Sequence, residues 1–107
     1  MSVLPRYEEI EKATIQKREQ TLMGLWRKRY AQDWFVSHGK DELYFGRKDM
    51  GISFTSIVGF TAIVHVKLNK YNIRLYGPPH NWVDDKTTKH PDLALDAVAR
   101  WLLQGVV

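Results

Sequence analysis

The sequence VHVKLNKYNIRL, residues 64–75, decides the fold, because apolar and polar residues alternate on both sides of a short polar turn. A period of two is typical of β-strands that bury one face. A two-residue turn at Asn69-Lys70 would place Val66 opposite Ile73. The stretch therefore predicts an antiparallel hairpin with one apolar face toward the core and one cationic face away from it.

The cationic face of this hairpin is the first candidate binding surface. It carries His65, Lys67 and Arg74, and Tyr76 follows near the end of the second strand. Cationic groups contact phosphates and aromatic rings stack on unpaired bases, so this face suits a nucleic acid. The same residues are also typical of a sheet face that meets only solvent, and both interpretations stay open.

Further strands are expected on the N-terminal side of the hairpin. Runs of aromatic and β-branched residues at 34–36 and 43–45 flank a turn at 38–41, and Gly59 is a candidate bend in the long run 52–68. We therefore expect an antiparallel meander of about four strands within residues 34–76. Residues 77–90 are polar and lack periodicity, so they predict a loop.

Helical patterns stand at both ends of the chain. Residues 5–32 place a proline near the start and basic residues near the end, and so predict one long helix whose first half projects. Residues 91–104 begin with Pro91, repeat apolar residues at three- and four-residue steps, and stop at Gly105. The prediction is a single α+β domain over residues 1–107, ordered as long helix, meander and short helix.

Composition narrows the class of protein. The 107 residues are 44% hydrophobic and 12% aromatic, which is typical of a chain that folds around a core. The chain has no cysteine, and it shows neither a signal peptide nor a membrane-spanning segment, so we expect a soluble cytoplasmic protein. The formal charge of +4 is too small to identify a partner by itself.

No pattern of residues indicates catalysis. The sequence contains no phosphate-binding glycine loop, no nucleophile elbow and no zinc-protease helix motif. Its four histidines are scattered, and none forms the i, i+4 helical pair of a metal site. We therefore expect no enzyme activity, no metal ligand and no cofactor.

Basic residues elsewhere offer a second route to a nucleic acid. Arg18 and Arg29 form one row along the predicted long helix, and Lys28 belongs to an adjacent row. Lys86 and Lys89 add charge before the second helix. Spaced cations can follow a nucleic-acid backbone, although interleaved glutamates can also pair with them along the helix surface.

The aromatic residues favour a protein partner instead. The chain has four tryptophans, and Trp82, in the predicted loop, is the one expected to be exposed. Tryptophan, tyrosine and arginine are the usual anchors of protein interfaces. We therefore favour a small protein-binding adaptor or inhibitor, of the plain kind common in phages and viruses, over a nucleic-acid-binding domain. A homo-oligomer through the long first helix is a further possibility.

Overall fold

The computed structural model, which describes residues 4–47, 60–78 and 81–107, has the predicted α+β architecture. A long N-terminal helix precedes five antiparallel strands in one sheet, and a short helix ends the fold. The elements are α1 Leu4–Arg29, β1 Trp34–Gly39, β2 Glu42–Arg47, β3 Thr61–Val66, β4 Tyr71–Gly77, β5 Asn81–Thr88 and α2 Pro91–Ala99, which continues as a π-helical segment over Arg100–Gln104.

The strands lie in the order β1-β2-β3-β4-β5, and both helices pack on one face of this sheet. Alternate residues of the strands point toward the helices and are buried, as a period of two requires. This inner face and the helices form one apolar core, whose largest buried side chains are Trp34, Tyr71, Phe45, Leu22, Leu43, Ile73, Leu75, Leu95 and Leu102.

The central hairpin has the predicted faces but a different register. Val64 lies opposite Ile73, because the turn falls at Leu68-Asn69, one residue earlier than predicted. The Lys67 amide donates to the Lys70 carbonyl at 2.9 Å and closes this turn. A turn moved by one residue shifts the pairing by two, which keeps each side chain on its predicted face. The predicted burial of Val64, Val66, Ile73 and Leu75 is therefore confirmed.

The prediction of a loop over residues 77–90 was wrong, because residues 81–88 form β5 beside β4. This strand is at the edge of the sheet and exposes most of its side chains, so it lacks the apolar alternation that marks a half-buried strand. A β-bulge next to Trp82 and the charges at 84–86 are typical of a protected edge. The predicted bend at Gly59 lies outside the described residues.

The first helix ends at Arg29, three residues earlier than predicted. A turn over residues 30–33 then leads into β1. The Tyr30 ring stacks on the Trp34 ring at 4.1 Å between centroids and holds this turn. The first half of α1 is less buried than the second, as predicted: Tyr7 and Ile10 are each 59% exposed, whereas Leu22 is fully buried. None of the described helices is long and apolar enough to cross a membrane.

The last helix begins and ends at the residues that the sequence indicates. Pro91 occupies its first turn, and Gly105 ends it in the left-handed conformation with φ of 64°. The Gly105 amide donates to the Trp101 carbonyl at 2.9 Å, as in the usual αL glycine cap, and the Val106 amide adds a bond to the Arg100 carbonyl at 3.2 Å. The Trp101 indole donates to the Tyr76 carbonyl at 3.0 Å and so ties this helix to β4.

Candidate interaction surface

The sheet face that points away from the helices is the candidate site, and we call it the outer face. Its residues alternate with the buried ones along each strand, and neither described helix packs against it. It combines aromatic and apolar side chains with a few charged ones. Its members are Phe35, Ser37, Glu42, Tyr44, Ile63, His65, Asn72, Arg74, Tyr76, Trp82, Asp85 and Thr87, and Thr61 has the same orientation but is buried, at 6% exposure.

Trp82 is the most exposed large side chain of this face, at 60%. Its indole nitrogen donates a hydrogen bond of 2.8 Å to the Asp85 carboxylate. The Nε atom of Arg74 lies 3.8 Å from the same carboxylate oxygen. Because Tyr76 lies opposite Trp82 on β4, the ring is placed beside a second aromatic residue. An exposed tryptophan is therefore held in one orientation by its neighbours on the sheet.

A second polar network lies at the other end of the outer face. The carboxylate of Glu42 accepts a hydrogen bond from the Tyr44 hydroxyl and lies 3.4 Å from Nδ1 of His65. The hydrogen bond to Glu42 raises the pKa of Tyr44, and burial and the nearby negative charge act in the same direction. A Cβ atom at Gly39 would lie 2.9 Å from the Tyr44 ring, so the ring needs a glycine beneath it.

The outer face is not cationic, which differs from the prediction for the hairpin. Arg74 faces Asp85 and His65 faces Glu42, so each cationic side chain has an acidic neighbour. The sequence-based prediction missed these acids because it considered only the hairpin, whereas Glu42 comes from β2 and Asp85 from β5. Lys67 lies beyond the end of β3, exposed in the turn.

The remaining basic candidates lie away from the outer face. Arg18 stacks on the inner-face ring of Tyr71, with its guanidinium carbon 4.4 Å from the ring centroid. Arg29 binds Asp92 of α2 at 3.0 Å, so the two helical rows do not form one free cationic surface. Two lysines are exposed, Lys28 at the end of α1 and Lys89 after β5. Lys86 is half-buried beside α2.

The structure thus places four of the ten sequence-predicted binding residues on the outer face, with Arg74, Tyr76 and Trp82 near one another and His65 toward the other end. It adds Glu42, Tyr44 and Asp85, which sequence reasoning missed. Within residues 4–47, 60–78 and 81–107, no three histidine, aspartate or glutamate side chains are arranged to hold a metal ion.

Comparisons with protein-family models, with curated proteins and with solved structures gave no match.

Proposed function

We propose that this protein is a non-catalytic interaction domain, an adaptor or inhibitor of the cytoplasm, that binds a protein partner through the outer face. The observation that carries the proposal is Trp82, which is 60% exposed and yet fixed by its hydrogen bond to Asp85. Its orientation is set before the partner arrives.

A fixed tryptophan suits the centre of a protein interface. Tryptophan is among the residues whose truncation costs an interface most, because its ring fills a pocket on the partner. A ring that is already ordered loses little side-chain entropy on binding. Tyr76 lies opposite it on β4, and the half-buried Tyr44 and Phe35 stand farther across the same face on β2 and β1. Such a surface is enriched in the residue types that interfaces favour.

The charges of the outer face favour protein over nucleic acid. Phosphate binding requires cations that can replace counterions, but Arg74 and His65 already face carboxylates. Those acids would repel a phosphate backbone on the same surface. The nucleic-acid alternative depends on exposed lysines at the ends of strands, Lys67 and Lys89, which lie off this face.

The test compares two equally exposed aromatic residues. Tyr7 on α1 is 59% exposed and lies far along the chain from the outer face, so Tyr7→Ala is the matched control for Trp82→Ala. Immobilised wild-type protein and both variants are incubated with lysate, once untreated and once treated with nuclease, and the captured proteins are identified by mass spectrometry. The affinity of each captured protein is then measured with purified components.

We expect at least one captured protein to bind wild type and Tyr7→Ala equally. Its affinity for Trp82→Ala should fall by about 2 kcal/mol or more, which is about 30-fold. The unfolding free energies of both variants should stay close to that of wild type, because both rings are exposed. Equal capture by all three proteins would contradict the role of the outer face, and capture that nuclease abolishes would favour the nucleic-acid alternative.

A further inference from the structure

A second surface, separate from the outer face, follows the C-terminal helix. An open groove of about 500 Å³ runs along α2 and the π-helical segment. Its apolar wall includes Leu93, Leu103 and Val107, which are 54%, 44% and 44% exposed. Ala97 lies between them, and Asp96 and Arg100 supply one charge of each sign along the helix, while the half-buried Lys86 of β5 adds a second cation to the lining. We call the six residues that α2 and the segment after it contribute, Leu93, Asp96, Ala97, Arg100, Leu103 and Val107, the C-terminal groove.

The two charged residues of the C-terminal groove can each form a further ion pair. Arg100 is exposed, and no carboxylate of the described part of the chain pairs with it. Asp96 is 53% exposed and meets only one nitrogen of Arg29, at 3.7 Å, whereas the other binds Asp92 at 3.0 Å. An exposed arginine within an apolar stripe is typical of a protein interface rather than of a solvent surface.

We propose that the C-terminal groove binds a second copy of this chain, with the two C-terminal helices antiparallel about a two-fold axis near Val98. Charge complementarity supports this pairing, because it sets Asp96 of each copy against Arg100 of the other. The same pairing sets Leu93 against Leu103 of the second copy. Each contact occurs twice by symmetry, as in other two-fold interfaces.

The order of residues along the helix selects this register. An axis moved to Arg100 would place the two guanidinium groups against each other, which like-charge repulsion disfavours. Ala97 near the crossing point has no bulky side chain, so the helices can approach closely. The helical segment 91–104 spans only about 20 Å, so the contact is smaller than a standard interface and the dimer dissociates readily.

The test uses charge reversal, measured by sedimentation equilibrium from about 10 μM to about 1 mM. We expect wild type to show a mass that rises from monomer toward dimer over this range. Asp96→Arg and Arg100→Asp, each alone, should weaken self-association by about 100-fold, because each brings like charges together. Lys70→Asp, in the exposed hairpin turn, is the matched charge-reversal control and should dimerise like wild type.

Mixing the two single variants gives the decisive result. Their reversed charges complement each other, so an equimolar mixture should form a heterodimer although neither variant pairs with itself. This recovery also shows that both variants are folded. A wild-type protein that stays monomeric to about 1 mM overturns the proposal. A dimer that persists in both charge-reversal variants also overturns the proposal. If that dimer were then lost in Ile10→Asp, the contact between copies would lie on α1 instead.

Discussion

The two faces of the sheet are formed by the same strands but differ in burial and in residue composition. On β3 and β4, Val64 and Ile73 point to the helices and are fully buried, whereas their neighbours Ile63 and Arg74 point outward and stay partly exposed. On β3 and β4 the side chains of the inner face are apolar and buried. The outer face mixes aromatic rings with polar pairs, in which Arg74 faces Asp85 and His65 faces Glu42. The comparison separates residues that stabilise the fold from residues available to a partner.

The largest effect should come from truncating the inner face. Ile73→Ala removes a fully buried side chain and leaves a cavity, so the unfolding free energy should fall by about 2–5 kcal/mol. Ile63→Ala, one strand away on the outer face, is the matched control and should cost about 1 kcal/mol because that side chain is half-buried. Urea unfolding measures both. Equal losses would show that the outer face is also covered.

The inner face was predictable from the sequence because burial leaves a periodic signal. Alternation along residues 64–75 assigned the buried side chains correctly even though the turn was misplaced by one residue, since a shift in pairing of two preserves the faces. The last helix was predictable for a similar reason. Pro91 and Gly105 have conformational preferences that act locally and do not depend on the rest of the fold.

The outer face was not predictable in the same way, because its networks join residues from different strands. Asp85 lies eleven positions after Arg74 in the chain, and only the pairing of β5 with β4 makes them neighbours. That strand itself carries no apolar alternation. Trp82 was correctly expected to be exposed, but the sequence placed it in a loop and contained no sign of its bond to Asp85.

Removing the carboxylate beside Trp82 tests whether its fixed orientation matters. Asp85→Ala deletes the acceptor for the indole nitrogen and the partner of Arg74. Affinity for the protein partner should fall by about 1 kcal/mol, or about fivefold, because the ring must then be ordered during binding. Isothermal titration with the purified partner measures the loss.

Asp85→Asn is the control for this experiment. The amide oxygen still accepts from the Trp82 indole, but the negative charge beside Arg74 is gone. Affinity for a protein partner should therefore fall less in Asp85→Asn than in Asp85→Ala. A nucleic-acid ligand would give the opposite result, since both variants remove a repulsive charge and both would bind more tightly.

Alkaline pH should reveal the network around Tyr44. The pKa of this tyrosine is raised in the folded state, first by its hydrogen bond to Glu42. Above pH about 10 the unfolded chain loses the hydroxyl proton while the folded chain retains it, so the unfolding free energy falls with rising pH until the raised pKa is passed. In Tyr44→Phe this part of the pH dependence should be absent.

The measurement is the urea midpoint of wild type and Tyr44→Phe from about pH 8 to about pH 11. The two curves should run parallel below the ordinary tyrosine pKa. Between that pKa and the raised pKa of Tyr44, the wild-type curve should fall more steeply than the Tyr44→Phe curve. Some alkaline loss remains in both proteins, because burial also raises the pKa of Tyr71. Parallel curves over the whole range would contradict the hydrogen bond between Tyr44 and Glu42.

The smallest effect should come from the charges that first suggested a nucleic acid. Lys67→Ala with Arg74→Ala removes an exposed turn lysine and a long ion pair of 3.8 Å, and such surface charges contribute less than about 1 kcal/mol to stability. Affinity for a protein partner that contacts Trp82 should change by no more than about threefold, because charges at an interface rim add little.

A labelled single-stranded oligonucleotide is the probe for the nucleic-acid alternative. If it bound wild type, the slope of log affinity against log salt would drop by about two phosphate contacts in the double variant. That result, with Trp82→Ala binding the oligonucleotide as wild type does, would assign the function to nucleic-acid binding through Lys67 and Arg74 and not to a protein bound at Trp82.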